Sequence, residues 1–189
     1  MDSHRAILTF WFDPSPNMDK WFIKSTTYDD HITFHFQSTL KKAEGGYLKE
    51  WMHHKDSFVA LIVLLDQFSR HIYRGTASAF QNDPAALAVA TAGIDVYYDQ
   101  LNKYEKLFVL MPFMHAEDVA SQHKVLQYLN IERTECPDDP WWQDAHQHAV
   151  GHLRVIERFG RFPKRNRALG RRSSPEEKEY MKDFPDRPY

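Results

Sequence analysis

Apolar residues in this 189-residue chain recur every three or four positions, and no Asn-Gly or Asp-Gly pair cuts the pattern into hairpins. That spacing puts one apolar stripe on each of a series of helices. Glycine is scarce, seven in all, and the turn chemistry of a meandering sheet is missing. The expected fold is all-α: about eight to ten antiparallel helices, stacked in the manner of a tetratricopeptide-like domain. The thirty-four-residue signature of true tetratricopeptide repeats is not visible. One domain over residues 1–184 is expected, with a frayed tail at 185–189.

The boundaries follow from caps and breakers. Tyr28, Ile32, Phe34 and Leu40 predict a helix from about Thr26 to Ala43, closed at Gly45-Gly46. Asp56 precedes Val59, Leu61, Ile62, Leu64, Leu65, Phe68 and Ile72, a helix apolar nearly all round until Asp66 and therefore central to a core. Arg74-Gly75-Thr76 reads as a break. Asn82-Asp83-Pro84 predicts a helix start, with Asp83 as the cap and Pro84 in the first position; the helix runs through Val96 to Tyr98. A helix from Lys103 to Met111 is expected to bend or restart at Pro112. Glu117-Asp118 opens the next, with Val119, Val125, Leu126 and Leu129 inward. A loop over Pro137–Pro140 leads into a helix from Trp141 to Phe159, and Gly160 to Pro163 makes a turn. Ser173-Ser174-Pro175-Glu176-Glu177 starts the last helix.

Charged residues make up 26% of the chain and the net charge is −2, which supplies no global pull toward nucleic acid or an anionic membrane. The longest apolar run, Phe58 to Leu65, is too short for a bilayer, and the stretch Ala6–Phe12 lacks the length and cleavage site of a signal peptide. With one cysteine, Cys136, no internal disulfide is possible. A cytoplasmic protein is expected.

Three segments concentrate groups that carry chemistry. In Leu65-Asp66-Gln67-Phe68-Ser69-Arg70, Asp66 and Arg70 lie four apart and can pair on one helix face. They end an apolar helix, so the carboxylate is at least half-buried and must be paired or perturbed. A structural ion pair and a functional site are both open. In Pro112-Phe113-Met114-His115-Ala116-Glu117-Asp118, three titratable groups fall within four residues. They suit an acid/base or metal-ligand cluster, or equally a capped helix start. From Arg154 to Arg172 there are eight basic residues and one acid, Glu157. Gly160 and Pro163 shape a turn that presents Arg161 and Arg165 as an anion site, unless the stretch is a solvated basic face balanced by acids elsewhere. The pairs His31/His35 and His148/His152 have the spacing of zinc chelators, but eleven histidines make chance pairs common and no metal or other cofactor is assigned.

These segments together resemble a bacterial family of uncharacterised proteins, domain of unknown function nine hundred and twenty-four. Its landmarks appear here as Ile7-Leu8-Thr9-Phe10-Trp11-Phe12, Leu65-Asp66-Gln67-Phe68-Ser69-Arg70-His71, Tyr73-Arg74-Gly75-Thr76, Pro112-Phe113-Met114-His115-Ala116-Glu117-Asp118 and Phe159-Gly160-Arg161-Phe162-Pro163-Lys164-Arg165-Asn166. The resemblance spans nearly the whole chain. It implies an all-helical fold related to tetratricopeptide-like stacks and no established activity. The chain departs from the family pattern at Ser69 (Pro in the family), His71 (Asn), Ala116 (Ser) and Lys164 (His). A histidine doing acid/base work at position 164 would not be replaced by Lys164; a group supplying only positive charge would.

The first functional expectation is a small anionic ligand bound in a polar pocket between helices, with hydrolase-like chemistry. Asp66, His115, Glu117, Asp118 and His152 are its acid/base candidates. Arg70, Arg161 and Arg165 hold the anion, and Gln67 and Asn166 orient it. The second is a scaffold that takes a protein or peptide partner in a groove. Nucleic-acid binding through residues 154–172 is the weakest reading, because the basic run is short and the chain is not basic overall.

Overall fold

Helices account for every regular element among the described residues, which in this computed structural model are 3–12, 21 and 24–184; none of them lies in a strand. Helix α1 spans His4–Phe12 and α2 spans Thr26–Glu44. Helix α3 is continuous through three segments: Lys55–Ile62, a π-helical turn Val63–Phe68, and Ser69–Ile72. Then come α4 (Asp83–Tyr97), α5 (Lys103–His115), α6 (Val119–Glu135), α7 (Pro140–Phe159) and α8 (Pro175–Asp183). The expected tail, residues 185–189, lies outside the described residues. No helix among the described residues is long and apolar enough to cross a membrane.

Contacts divide the chain into two compact units, Met1–Pro112 and Phe113–Tyr189, with the division inside α5. In the first unit α3 is the centre. Phe58 through Ser69 are all buried, and α1 and α4 pack on its first segment while α2 packs on its π turn and its end. A segment enclosed by three neighbours must be apolar all round, as this one is until Asp66. In the second unit α6 and α7 form a helical hairpin across residues 136–139. A smaller core of Val155, Ile156, Phe162 and Tyr180 joins the end of α7 to α8, with Phe159, Met181 and Phe184 packed against it.

Several local expectations need correction. Phe34 is 86% exposed, and the buried stripe of α2 is Ile32, Phe36, Thr39 and Leu40. Val119, expected inward, is also exposed. Asn82, not Asp83, stands at the cap of α4 and makes no side-chain cap bond; Asp83 begins the helix and turns its carboxylate to Arg70. Pro112 does not interrupt α5, which continues to His115. Beyond it the amide of buried Gln122 donates to the carbonyls of Phe113, Met114 and Ala116 and so closes the helix end. The last start is as expected: Ser174 accepts from the Glu177 N–H, and the Glu177 carboxylate accepts from the Ser174 N–H.

Candidate functional site

Asp66, Gln67 and Arg70 lie in the first unit, on the π turn of α3 and just after it. A π turn carries one extra residue, which re-aims the side chains that follow. Asp66 is fully buried. Its carboxylate accepts from the Gln67 amide, which also reaches the Met111 sulfur at 3.1 Å. Arg70 Nη1 lies 3.2 Å from the Asp66 carboxylate and donates to the Asp66 carbonyl at 2.7 Å. The same guanidinium grips both oxygens of Asp83, at 2.9 and 3.1 Å. One cation thus joins two carboxylates from α3 and α4.

The remaining candidates lie in the second unit. His115 ends α5 and is half-buried. Asp118 is the cap of α6, exposed, with its carboxylate accepting from the Ser121 N–H at 2.8 Å. Glu117 beside it does not serve that helix. Its carboxylate accepts from the Phe162 N–H at 2.8 Å and from both terminal nitrogens of Arg171, at 2.6 and 2.9 Å. Burial alone would raise its pKa. The Arg171 hydrogen bonds, the Phe162 N–H and the charges of Arg171 and Arg165 outweigh burial and hold it below the usual carboxylate range.

Phe162 is the hub. Its ring meets His152 edge-on with centroids 5.5 Å apart, and the Arg165 guanidinium lies over it at 4.6 Å. Its carbonyl accepts from Arg171 at 3.1 Å. His152, on α7, is 7% exposed. Its Nδ1 lies 2.9 Å from the His148 carbonyl, so Nδ1 carries the proton and Nε2 is the basic nitrogen of the neutral ring. Burial lowers its pKa most; the bond to His148 resists, and the charges of His115, His148 and Arg165 complete the fall to about 3.

Arg161 and Asn166 face a second carboxylate. Arg161 donates to both oxygens of Glu177, at 2.7 and 3.0 Å, and to the Arg172 carbonyl. The Asn166 amide donates to Ser173 and Glu177, and its oxygen accepts from Arg171 at 2.9 Å. The pairing with Arg161, more than any other influence, holds Glu177 at about 2.

Thus His115, Glu117, His152 and Arg165 share one neighbourhood of the second unit, braced by the Arg161–Glu177 and Arg171–Asn166 bonds. Arg171 is the participant that sequence reasoning did not assign. Its basic neighbours mark the segment, but nothing in the spacing connects residues 117 and 171. Three basic side chains of the 154–172 stretch are paired with acids: Arg158 with Glu176, Arg161 with Glu177, and Arg171 with Glu117. Among the described residues no group of three or more His, Cys, Asp or Glu is placed to hold a metal ion.

No curated protein matches the chain. A solved structure, the Protein of Unknown Function ATU0120 from Agrobacterium tumefaciens, is similar at 32% identity with a TM-score of 0.83, covering 95% of this chain and 97% of that one. The model of one protein family, described as bacterial protein of unknown function (DUF924), matches residues 7–184. With nearly the whole length accounted for by that model, the chain belongs to this family.

Proposed function

We propose that the second unit binds a small anionic ligand where His115, His152 and Arg165 converge, and that the two imidazoles move a proton in hydrolase-like chemistry. The observation that carries this reading is the surroundings of His152. A buried imidazole is held neutral, with a fixed tautomer, among His115, His148 and Arg165. An anion entering there meets the Arg165 guanidinium, whose charge reaches both His152 and Glu117. The anion's charge raises the pKa of His152 and brings proton exchange toward neutral pH.

The roles divide by engagement. Arg165 touches the anion while stacked on Phe162, and His115 and His152 are the acid/base pair. Glu117, Arg161, Asn166 and Arg171 position Phe162 and the turn around it. Asp118 is a helix cap. Asp66, Gln67 and Arg70 belong to the ion-pair network of the first unit and are assigned no ligand. A single free cysteine, Cys136, which is exposed, supports a reducing, cytoplasmic setting.

The test is thermal stability against mono- and dicarboxylates, phosphate esters and inorganic phosphate. His115→Ala and Arg165→Ala abolish the shift produced by the true ligand. Arg161→Ala lowers the melting temperature yet keeps much of the ligand's increment. Failure of every anion, with both variants merely melting lower, would move the assignment to a tetratricopeptide-like scaffold for a protein partner.

A further inference from the structure

The segments Phe113–Asp118 and Phe159–Asn166 meet in the second unit. Members of the other three distinctive segments, Trp11, His71 and Arg74, meet in the first. The centre is the His71 imidazole, which is buried. Its Nδ1 lies 2.7 Å from an Asp29 oxygen. Arg74 donates to both oxygens of Asp29 through Nε and Nη2. Two rings stand edge-on to the imidazole, Tyr28 at 5.4 Å and Trp11 at 5.9 Å. Phe10 stacks on Tyr28 at 5.6 Å, and Phe68 meets both Phe10 and Trp11.

Two donors in this cluster are orphaned. The Trp11 indole N–H and the Tyr28 hydroxyl are both shut off from solvent, and neither has a hydrogen-bond partner among the described residues. Trp11 is 1% exposed as a whole residue. The neighbouring indole behaves normally: the Trp21 N–H donates to the Trp11 carbonyl at 2.7 Å. Folded proteins pair nearly all such buried groups, because an unpaired one forfeits its hydration without return. Phenylalanine would fill the position of Tyr28 without that cost. Two unpaired donors against the same imidazole therefore point to an acceptor that the described residues do not supply.

We propose that the first unit holds a second ligand site, in which an oxygen acceptor of a small, largely apolar molecule is received between the Trp11 indole N–H and the Tyr28 hydroxyl. The acceptor must carry a lone pair, since an indole N–H can only donate, and a carbonyl or carboxylate oxygen has two lone pairs with which to take both donors. The aromatic surroundings suit an apolar body. Charge argues against a polyanion: the Asp29 carboxylate is already matched by Arg74, and burial holds His71 toward its neutral form.

The probes are benzamide and benzoate, which share a body and differ in the charge of the oxygen. Binding is measured by calorimetry, and the Trp11 indole N–H resonance is followed by NMR, assigned by its loss in Trp11→Phe. The expected result is a downfield move of that resonance at saturation, with affinity falling about tenfold in both Trp11→Phe and Tyr28→Phe. Both variants keep an aromatic ring, and circular dichroism verifies their fold. Tighter binding of benzamide identifies a neutral carbonyl as the acceptor, and tighter binding of benzoate a carboxylate. The proposal is overturned if neither probe moves the resonance, or if both variants bind as the parent does. It is equally overturned if both variants are destabilised without any probe binding, which would mark the donors as hydrated by internal water. None of these outcomes depends on the anion site of the second unit.

Discussion

His152 makes the stability of the protein depend on pH in a direction that can be worked out. Unfolded, its imidazole takes a proton near pH 6.5; folded, it refuses one until about pH 3. Between those values the unfolded state binds the extra proton, so stability is full above pH 6.5 and falls as the solution is acidified. One such group contributes a slope approaching about 1.4 kcal/mol per pH unit. His71 and His146 are also lowered and add in the same sense. His152→Gln is therefore expected to lose about one proton's worth of slope between pH 6.5 and 5 without flattening the curve, as read by urea unfolding at several pH values. An unchanged slope would mean that folded His152 takes its proton normally. At this scale the sequence was half legible. A histidine, an acid and a basic run stood out as chemistry, and Asp66 was expected to be buried because it ends an apolar helix. The partner of Glu117 was not legible, because Arg171 lies 54 residues away and only the folded turn around Phe162 brings it in.

Single elements are held by caps and close approaches, and each gives a test. Ser174 accepts from the N–H of Glu177 at 3.1 Å as half of the α8 capping box. Ser174→Ala is expected to cost about 1 kcal/mol in urea unfolding at neutral pH. Gly93 sits inside α4 where an added Cβ would come 2.3 Å from the Phe58 ring. Gly93→Ala should raise helix propensity and still destabilise the protein by roughly 1–3 kcal/mol, since the Phe58 ring is itself fully buried and cannot retreat. A stabilised Gly93→Ala would show that the α3–α4 packing gives way easily. The capping box was legible because it depends on residues within one turn. The close approach was not, since Gly93 reads locally as a tolerated weak point. Pro112 taught the opposite lesson. Its local rule, that proline ends a helix, yields in α5, which runs on to His115 while Gln122 satisfies the carbonyls beyond. The π turn of α3 likewise has no signature in apolar spacing, since every residue from Val63 to Phe68 is buried whichever way the turn winds.

For the molecule as a whole, charge and ligand response belong to the two units differently. Within the basic stretch 154–172, Arg158, Arg161 and Arg171 are neutralised by Glu176, Glu177 and Glu117, so those three do not form an open cationic face. Phe162, Glu117, Arg171, Asn166 and Glu177 are bonded in series, so a ligand at the proposed anion site on Arg165 would perturb the whole network. Amide hydrogen exchange gives the corresponding test. A ligand of the proposed anion site binds only the native state, and it slows exchange by the free energy of binding in whatever unfolds together with the site. Saturation at about one hundred times Kd should add about 2.7 kcal/mol of protection around residues 152–171. If protection rises there and not around 58–69, the two units open independently and the anion site lies wholly within the second. If both regions rise by the same amount in the parent and in Arg165→Ala, the ligand is bound elsewhere and the assignment to Arg165 fails.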